Sequence, residues 1–305
     1  MVSRFKQTRQ AIWEQQEQSL RNPAVILCQE FNLSGLSQKS LCYKVRGSFL
    51  DILEKNKLTL IISREYEHLV IALSVIQGKL CQSFIHLPHP SGIVVNREKK
   101  LLYIAATRNP NQIWEFKPSD NYLHKGKNCV QKIGHTHLMP ARVKYFPGFS
   151  YFHDLAMVGN QLYANSVGQN AVIPIMMDSY VTDRPTWWPK SIENSSGEAD
   201  FSTNYLQLNS IAAGTSIENS YFSASVEKPG RYRPGSQYFQ VDKRGVIFSG
   251  KTREVWARGL TRPHSARLYQ GKIWVDNSGY GELGFIDNHV FIPFVTLPGW
   301  TRGLL

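Results

Sequence analysis

A three-strand pattern near the end of the chain restricts the fold more than any other part of the sequence. Residues 262–287 read as a short strand, a Gln270-Gly271 hairpin turn, a second strand, a glycine-rich turn and a third strand. Apolar and polar residues alternate with a period of two, and the turns carry the glycines that positive φ angles favour. The same pattern occurs at least four more times, for example over 152–158 and 161–166. This repetition predicts blade units and, for the whole chain, a β-propeller.

The length and composition are compatible with one large all-β domain. The chain has 305 residues, of which 42% are hydrophobic and 19% charged, so it can bury a core and is not compositionally disordered. No apolar run approaches the roughly 20 residues that a membrane-spanning helix needs. The N-terminus is polar and lacks the apolar region of a signal peptide, which predicts a cytoplasmic location.

The formal net charge of +12 raises the question of a nucleic-acid partner. The basic residues are scattered, however, and form no run of five or six, so the sequence argues against nucleic-acid binding. The cysteines form no CxxC pair and have no zinc-ligand spacing, which is typical of reduced thiols. Their positions are Cys28, Cys42, Cys81 and Cys129.

The sequence divides into three parts. Residues 1–23 are a polar segment that is predicted to be helical and ends at Asn22-Pro23. Residues 24–57 are a lead-in with short strands and a helix that begins after Ser48. The repeats start at Leu58, so residues 58–305 are assigned to the propeller.

The innermost strands of the repeats share one property, since each opens with a small or polar residue and continues with apolar ones. The aligned positions are Ser91, Asp154, Ser210, Ser265 and Arg302. Inner strands of a propeller crowd around its axis, where small side chains fit and polar ones can face a wet channel. A two-sheet sandwich is the alternative, and the recurring inner strand favours the propeller. The pattern also predicts a strand over 238–242 and a new inner strand over 300–305.

Several motifs resemble one known family. They are His153-Asp154-Leu155-Ala156, Leu208-Asn209-Ser210-Ile211-Ala212, Arg258-Gly259-Leu260 with Pro263-His264-Ser265, Asn277-Ser278-Gly279-x-Gly281-Glu282-Leu283-Gly284, and Pro298-Gly299-Trp300-Thr301-Arg302-Gly303-Leu304. From about Phe49 to Leu305, the sequence is similar to a bacterial family of conserved hypothetical proteins that is classed as a domain of unknown function. The resemblance implies a six-bladed β-propeller and no established activity.

The resemblance also bears on the end of the chain. The family continues beyond the strand that corresponds to Thr301-Arg302-Gly303-Leu304 and then returns a strand to the first blade. We therefore expect a C-terminally truncated member with about five blades, of which the last is incomplete, and with a short N-terminal helix. An unpaired sheet edge would favour self-association.

The starts of the inner strands are predicted to meet at the mouth of the central channel and to bind a ligand there. The predicted set is His89, Ser91, His153, Asp154, Asn209, Ser210, His264, Ser265, Thr301 and Arg302. The alternative for each of these side chains is a structural hydrogen bond that ties one inner strand to its neighbour. Both interpretations remain open at this point.

A divalent metal is the second hypothesis for the same residues. The chain looks superficially similar to metal-dependent lactonases with six-bladed propellers, which hold calcium through Glu, Asn and Asp near the axis. Asp154 and Asn209, with His153, would be the ligands, because oxygen atoms suit a hard cation such as calcium. The histidines His89, His153 and His264 would instead suit a softer ion such as zinc. No inner strand begins with a second carboxylate, so the calcium ligand set is incomplete.

Three functional hypotheses follow. The first is a non-catalytic binding module that uses the channel face for a small polar ligand or a protein partner. The second is a metal-dependent hydrolase that acts on lactones or esters, and the third is an inactive truncated family member. The sequence contains no GxSxG, P-loop, dinucleotide-binding or HExxH motif, so these mechanisms have no support.

Overall fold

The structure of the chain is a computed structural model that describes residues 11, 41–119, 137–146, 148–179 and 184–304. Its described residues form two compact units, one within Gln29–Phe146 and one that consists of Ala11 and the described residues within Pro147–Leu305. The helix predicted over 1–23, apart from Ala11, and the lead-in up to residue 40 lie outside the described residues. Helix α1 (Phe49–Lys55) precedes the sheets, and its first turn is closed by the Ile52 N–H, which donates to the Ser48 carbonyl at 2.9 Å.

The unit within Gln29–Phe146 contains two antiparallel sheets among its described residues, here called blades 1 and 2. Blade 1 consists of β1 (Leu60–Arg64), β2 (Leu69–Ile76) and β3 (Lys79–His86). Blade 2 consists of β4 (Pro90–Asn96), β5 (Leu101–Ala106), β6 (Asn111–Ser119) and β7 (His137–Phe146). Gln77 and Gly78 connect β2 to β3 with φ angles of 50° and 72°, the left-handed pair that suits a two-residue hairpin turn.

The unit within Pro147–Leu305 contains three antiparallel sheets among its described residues, here called blades 3, 4 and 5. Blade 3 consists of β8 (Phe152–Val158), β9 (Gln161–Ser166) and β10 (Ala171–Pro174). Blade 4 consists of β11 (Leu208–Ala212), β12 (Tyr221–Ala224), β13 (Gly245–Ser249) and β14 (Val255–Leu260). Blade 5 consists of β15 (Pro263–Tyr269), β16 (Lys272–Asn277), β17 (Glu282–Asp287) and β18 (Val290–Thr296). In every blade the strand order in the sheet follows the chain, as in a propeller blade.

Apolar cores lie between successive blades within the second unit. Ile211 and Ala212 are consecutive residues of β11, yet they belong to different cores, because side chains alternate between the two faces of a strand. Trp187 is 2% exposed and stacks on Phe222 with ring centroids 3.9 Å apart. Its indole N–H donates to the Gly250 carbonyl at 3.0 Å, which satisfies the polar atom of this buried ring.

The observed sheets confirm the all-β, β-propeller class and show five blades among the described residues. Within the predicted lead-in, residues 41–57 contain the predicted helix but no strand, and two further predicted strands are wrong. Residues 238–242 are irregular, with turns only at Tyr238 and Asp242. Phe239 packs against the core of blade 4, and Asp242 Oδ1 accepts a hydrogen bond from Thr261 Oγ1. Residues 300–304 form no strand, since no strand in the described part of the chain pairs with them. Strand β7 was not predicted. Within the described residues, no helix is long and apolar enough to span a membrane.

Candidate functional site

The inner strands of blades 2 to 5 begin with the same backbone geometry. The residue before each strand has a left-handed φ, of 42° at His89, 49° at Tyr151, 52° at Gln207 and 49° at Arg262. A β-bulge then shifts the register within the first five residues of each strand. Bulges redirect side chains and are common next to binding sites, so the strand starts are the irregular ends of the blades.

Counting from these left-handed residues corrects the alignment of the inner strands. The second positions are Ser91, His153, Asn209 and His264, and the third positions are Gly92, Asp154, Ser210 and Ser265. The sequence alignment placed Ser91 beside Asp154 and is therefore wrong by one residue. The error matters because a shift of one residue along a strand exchanges its two faces.

Asp154 is buried, with 4% of its surface exposed, and its carboxylate accepts four hydrogen bonds. Arg267 donates from Nη1 to Oδ2 at 2.7 Å and from Nη2 to Oδ1 at 2.9 Å. The backbone N–H of Leu155 donates to Oδ1 and that of Ile211 to Oδ2, each at 3.0 Å. Burial disfavours the charge on Arg267, but the adjacent Asp154 carboxylate outweighs burial and raises the pKa of the guanidinium. One carboxylate thus connects the inner strands of blades 3, 4 and 5.

Asn209 and Ser210 form hydrogen bonds from blade 4 to blade 5. Asn209 Nδ2 donates to the Pro263 carbonyl at 2.8 Å, and Ser210 Oγ accepts from the Ala266 N–H at 2.7 Å. Ser210 Oγ also lies 2.5 Å from Ser223 Oγ. These contacts agree with the structural alternative, in which inner-strand side chains tie neighbouring blades together. The Asn209 Oδ1 atom is buried and has no hydrogen-bond partner among the described residues.

Four side chains meet at the start of β15 and are here called the blade-5 cluster: His264, Ser265, Asp276 and Arg302. Asp276 lies on β16 directly opposite His264. The Ser265 hydroxyl is hydrogen-bonded to the Asp276 carboxyl, and its Oγ accepts from the Gly303 N–H at 2.9 Å. Ser265 has a φ of 52° and is half-buried. The bulge therefore presents its hydroxyl between the buried Asp276 carboxyl and residues 300–304, here called the end segment.

The ring of His264 joins the exposed and buried parts of the blade-5 cluster. Arg302 Nη2 lies 3.1 Å from His264 Nε2, and His264 Nδ1 lies 2.8 Å from the Arg262 carbonyl oxygen. Since a guanidinium only donates and a carbonyl only accepts, these partners assign the proton of a neutral His264 to Nδ1. The ring of His153 lies beside it, with ring centroids 5.3 Å apart.

Asp276 has the most distinctive electrostatics of the blade-5 cluster. Its exposed fraction is 3%, and burial raises the pKa of its carboxyl to about 7. The Ser265 hydrogen bond and the positive charges of Arg267 and Arg302 act in the opposite direction. Asp276 Oδ2 is buried without a hydrogen-bond partner among the described residues. A carboxyl that changes charge near neutral pH is typical of functional sites.

Thr301 is buried beside this cluster and has structural contacts. Its carbonyl oxygen accepts from Ser278 Oγ at 2.7 Å, and its hydroxyl lies 3.4 Å from the Glu282 carbonyl oxygen. The end segment is therefore attached to blade 5 through side chains instead of through a strand ladder.

His89 and Ser91 belong to the unit within Gln29–Phe146. The His89 N–H donates to Nδ1 of His68 at 3.1 Å, and the two rings meet edge to face with centroids 4.3 Å apart. Burial lowers the pKa of His68, in spite of nearby glutamates, which favours the neutral acceptor that this bond requires. The Ser91 carbonyl oxygen accepts from Ser63 Oγ at 2.8 Å. The structure thus brings His153, Asp154, Asn209, Ser210, His264, Ser265, Thr301 and Arg302 into one unit, and His89 and Ser91 into the other.

Arg267 and Asp276 were not predicted from the sequence. Asn165, Ser223 and Asp276 occupy equivalent positions on the second strands of blades 3, 4 and 5. Asn165 Nδ2 and Ser223 Oγ both reach the carbonyl of the first residue in the next inner strand. The recurring polar residue in an otherwise apolar strand was the available signal. No local pattern marks Arg267, because its partner Asp154 is 113 residues away.

The metal hypothesis gains no ligand set from the geometry. Across residues 41–119, 137–146, 148–179 and 184–304, no group of three or more His, Cys, Asp or Glu side chains could hold a metal ion. Asp154 already accepts four hydrogen bonds, two of them from a guanidinium. A calcium or zinc site at Asp154, Asn209 and His153 therefore stays a prediction.

Comparison with solved structures finds distant similarity. The β-propeller domain of Cps50 (Swd1) from Myceliophteria thermophila aligns with a TM-score of 0.39 and 10% identity, over 75% of this chain and 65% of that one. Hydrazine synthase from Kuenenia stuttgartiensis aligns with a TM-score of 0.43 and 14% identity, over 75% of this chain and 73% of that one. This chain thus spans slightly less than two thirds of the Cps50 domain. No curated protein matches the sequence significantly.

A family match covers most of the sequence. Residues 47–305 match the family described as a domain of unknown function (DUF4915). The match begins two residues before helix α1 and includes all five blades. The family that the inner-strand motifs predicted is thereby confirmed, and this chain belongs to the domain of unknown function DUF4915.

Proposed function

We propose that this propeller is a non-catalytic binding module and that the blade-5 cluster binds a small polar ligand. The observation that carries the proposal is the contact between the exposed Arg302 and the buried His264, beside the buried carboxyl of Asp276. An exposed guanidinium offers a planar set of donors for a carboxylate or hydroxyl group of a ligand. Ser265 adds a half-buried hydroxyl at the same place.

The unusual position of Asp276 supports the same proposal. Asn165 and Ser223 fill the equivalent positions in blades 3 and 4 with neutral donors, so the fold does not need a carboxyl there. An ionised carboxyl cannot donate, and burying it destabilises the folded state. Residues that depart from a local rule of their own fold often belong to functional sites. Arg302 and Arg267 supply the positive charge that partly compensates Asp276.

Thermal denaturation with a panel of small polar ligands tests the proposal. The panel contains gluconate, glutamate and glucose, which offer a carboxylate with hydroxyls, a carboxylate with an amine, and hydroxyls alone. A ligand that binds the folded state raises Tm, by roughly 2–4 °C for each kcal/mol of binding in a domain of this size. We expect at least one of the acids to raise Tm of the wild type, and the same acid to leave Tm of Arg302→Ala unchanged.

Two further variants make the test specific. Arg302→Lys keeps the charge and removes the planar fork, so it should retain only part of the shift. Lys251→Ala removes an exposed charge from the turn between β13 and β14 and should retain all of it. A shift that persists unchanged in Arg302→Ala, or a panel without any shift, would contradict the assignment of the binding site to the blade-5 cluster.

A further inference from the structure

A concave site of about 350 Å³ lies at one end of blade 4, apart from the blade-5 cluster. It is formed where the chain leaves β12, where it enters β13, and by the side of β14. Its walls carry Glu227, Lys228, Lys243, Arg244 and Arg258. The apolar side chains of Val226 and Val246, each 2% exposed, also line it. A volume of this size falls in the lower range of small-molecule sites, roughly 300–1,000 Å³.

The walls have an excess of positive charge. Four of the lining residues are cationic and one is acidic. Glu227 pairs with Arg258, with Oε2 to Nε at 3.0 Å. Lys228 and Lys243 form no ion pair with any of the described residues, so their charges have no protein partner there. Like charges around one concavity repel each other, and an anion in the concavity would relieve that repulsion.

A backbone hydrogen bond fixes the chain at Lys243, and an aromatic ring supports the Arg244 guanidinium. The Lys243 N–H donates to Thr261 Oγ1 at 2.8 Å, and the φ of Lys243 is 55°. The guanidinium of Arg244 lies over the ring of Phe239, 5.5 Å from its centroid. Phe239 itself packs against the core of blade 4, so its contact with Arg244 restricts the orientation of the guanidinium. Preorganised charges lose less conformational freedom when a ligand binds.

The loop between Lys228 and Lys243 adds further basic residues. It leaves the concave site at Lys228, returns to it at Lys243, and carries the exposed Arg231 and Arg233. Arg231 lies over the ring of Tyr232, with its guanidinium carbon 5.2 Å from the ring centroid. The loop therefore extends the positive surface beyond the walls and supplies aromatic rings next to it.

We infer that this concave site, here called the blade-4 basic site, binds a phosphate monoester. Toward a doubly charged phosphate group, the ammonium groups of the two lysines would act as point charges. The Arg244 guanidinium would donate two parallel hydrogen bonds to its oxygen atoms. The buried valines suit an apolar or sugar part of the ligand. A free phosphate ester and the headgroup of phosphatidic acid share this chemistry, and the experiment separates these two sources. The inference uses no residue of the blade-5 cluster and stands independently of the function proposed for it.

Calorimetric titration of the full chain tests the blade-4 basic site. One arm uses glucose 6-phosphate with glucose as the uncharged control. The other arm uses phosphatidylcholine vesicles with and without phosphatidic acid. We expect saturable binding in one of these arms, no binding of glucose, and weaker binding at high salt, since the Debye length falls from about 10 Å at 0.1 M to about 3 Å at 1 M.

Matched charge reversals test whether the ligand binds at the blade-4 basic site. Lys243→Glu and Lys228→Glu should each weaken binding by about tenfold or more, the ratio that corresponds to about 1.4 kcal/mol. Lys243 has a left-handed φ of 55°. Because lysine and glutamate both carry a Cβ atom, Lys243→Glu adds no backbone strain at this position. Lys251→Glu makes the same change of net charge beyond the other end of β13, a strand of five residues that rises about 3.3 Å per residue, and should leave binding within about twofold.

Three outcomes would overturn the inference. They are the absence of binding in both arms, equal losses in Lys243→Glu and Lys251→Glu, and equal binding of glucose and glucose 6-phosphate. Circular dichroism and Tm of each variant confirm that the change does not unfold the protein, and all three lysines are exposed. Lys228→Glu provides a second charge reversal in the same site if Lys243→Glu fails to fold.

Discussion

Asp154 in blade 3 and Asp276 in blade 5 are two carboxyl groups of one unit, and their burial is nearly the same. Their exposed fractions are 4% and 3%. Asp154 accepts two hydrogen bonds from Arg267 and two from backbone N–H groups. Asp276 has a bond from Ser265, an Oδ2 without a partner among the described residues, and a pKa raised to about 7. At nearly equal burial, Asp154 therefore has four hydrogen-bond donors, whereas Asp276 has a buried oxygen without a donor among the described residues.

The difference shows that hydrogen-bond donors, more than depth, decide whether a buried carboxyl stabilises a fold. A carboxylate with four donors, such as Asp154, has its lone pairs satisfied and ties strands together. A carboxyl with fewer donors takes up a proton more readily and becomes sensitive to pH. Arg267 lies near both groups, but its bidentate contact is with Asp154. The first group ties blades 3, 4 and 5 together, and the second lies in the cluster for which we propose binding.

Removal of the Arg267 guanidinium should have the largest effect on this comparison. Arg267→Met keeps most of the apolar stem but leaves Asp154 buried without its main partner, which should lower the free energy of unfolding by about 3–5 kcal/mol. Urea denaturation measures the loss. Asp154→Asn in the same background should recover part of the lost stability, because it removes the uncompensated charge. A loss below about 1 kcal/mol would mean that the pair behaves like an exposed one.

Neutralisation of Asp276 should remove a pH dependence. The pKa of Asp276 in the folded protein is about 7, above its ordinary value of 3.8. The folded state therefore holds the proton more tightly than the unfolded state between these values. The stability that this group contributes is complete below about pH 3.8 and is lost as the pH rises through about 7, with a slope of about 1.4 kcal/mol per pH unit.

Urea denaturation at about pH 5 and about pH 8 tests this expectation. Between these conditions the wild type should lose roughly 2–3 kcal/mol relative to Asp276→Asn. Asp287→Asn, an exposed site at the end of β17 in the same blade, serves as the control and should keep the wild-type pH dependence. Parallel pH dependences of the wild type and Asp276→Asn would show that Asp276 does not titrate in this range.

Removal of the Ser265 hydroxyl should sharpen the contrast between the two carboxyls. The hydrogen bond from Ser265 lowers the pKa of Asp276, so Ser265→Ala should raise that pKa further and move the pH midpoint of stability upward. The same variant should cost about 1 kcal/mol, because the Gly303 N–H loses its acceptor. The exposed Ser196→Ala is the matched control. An unchanged midpoint in Ser265→Ala would separate Ser265 from the titration of Asp276.

An exposed ion pair should show the smallest effect. Lys190 Nζ lies 2.9 Å from Glu254 Oε1, with side chains that are 49% and 63% exposed. Lys190→Ala should change the free energy of unfolding by no more than about 1 kcal/mol, since water screens the pair. Urea denaturation provides the comparison with Arg267→Met. A loss as large as the one at Arg267 would contradict the view that burial and donor number separate the two pairs.

The strands that the sequence predicted well are those with clear alternation between glycine turns. The predicted ranges 152–158 and 161–166 agree with β8 and β9 at every residue. Residues 238–242 have a similar alternation but are irregular, and Phe239 packs against blade 4 while the chain around it forms a loop. Residues 300–304 have the composition of an inner strand but no paired strand among the described residues. Alternation alone cannot distinguish a paired strand from a loop that packs onto a blade.

The candidate site was predicted in part for the same reason. The polar starts of the inner strands identified His264, Ser265 and Arg302, because these residues stand out against apolar neighbours. The partners Arg267 and Asp276 were missed. Arg267 lies 113 residues from Asp154 in the chain, and the signal at Asp276 emerges only when the second strands of blades 3, 4 and 5 are compared. The bulge in β15 also places His264, instead of Ser265, opposite Asp276, which regular hairpin register would not predict.

The sequence by itself determined the blade pattern, the turns and the polar starts of the inner strands, because these depend on residues close together in the chain. Tertiary structure decided which buried carboxyl is compensated. Asp154 receives the Arg267 guanidinium from 113 residues away and an N–H from the next blade, whereas Asp276 does not receive an equivalent set. Electrostatic energies depend on distances and burial in space, and only the packed blades define these distances.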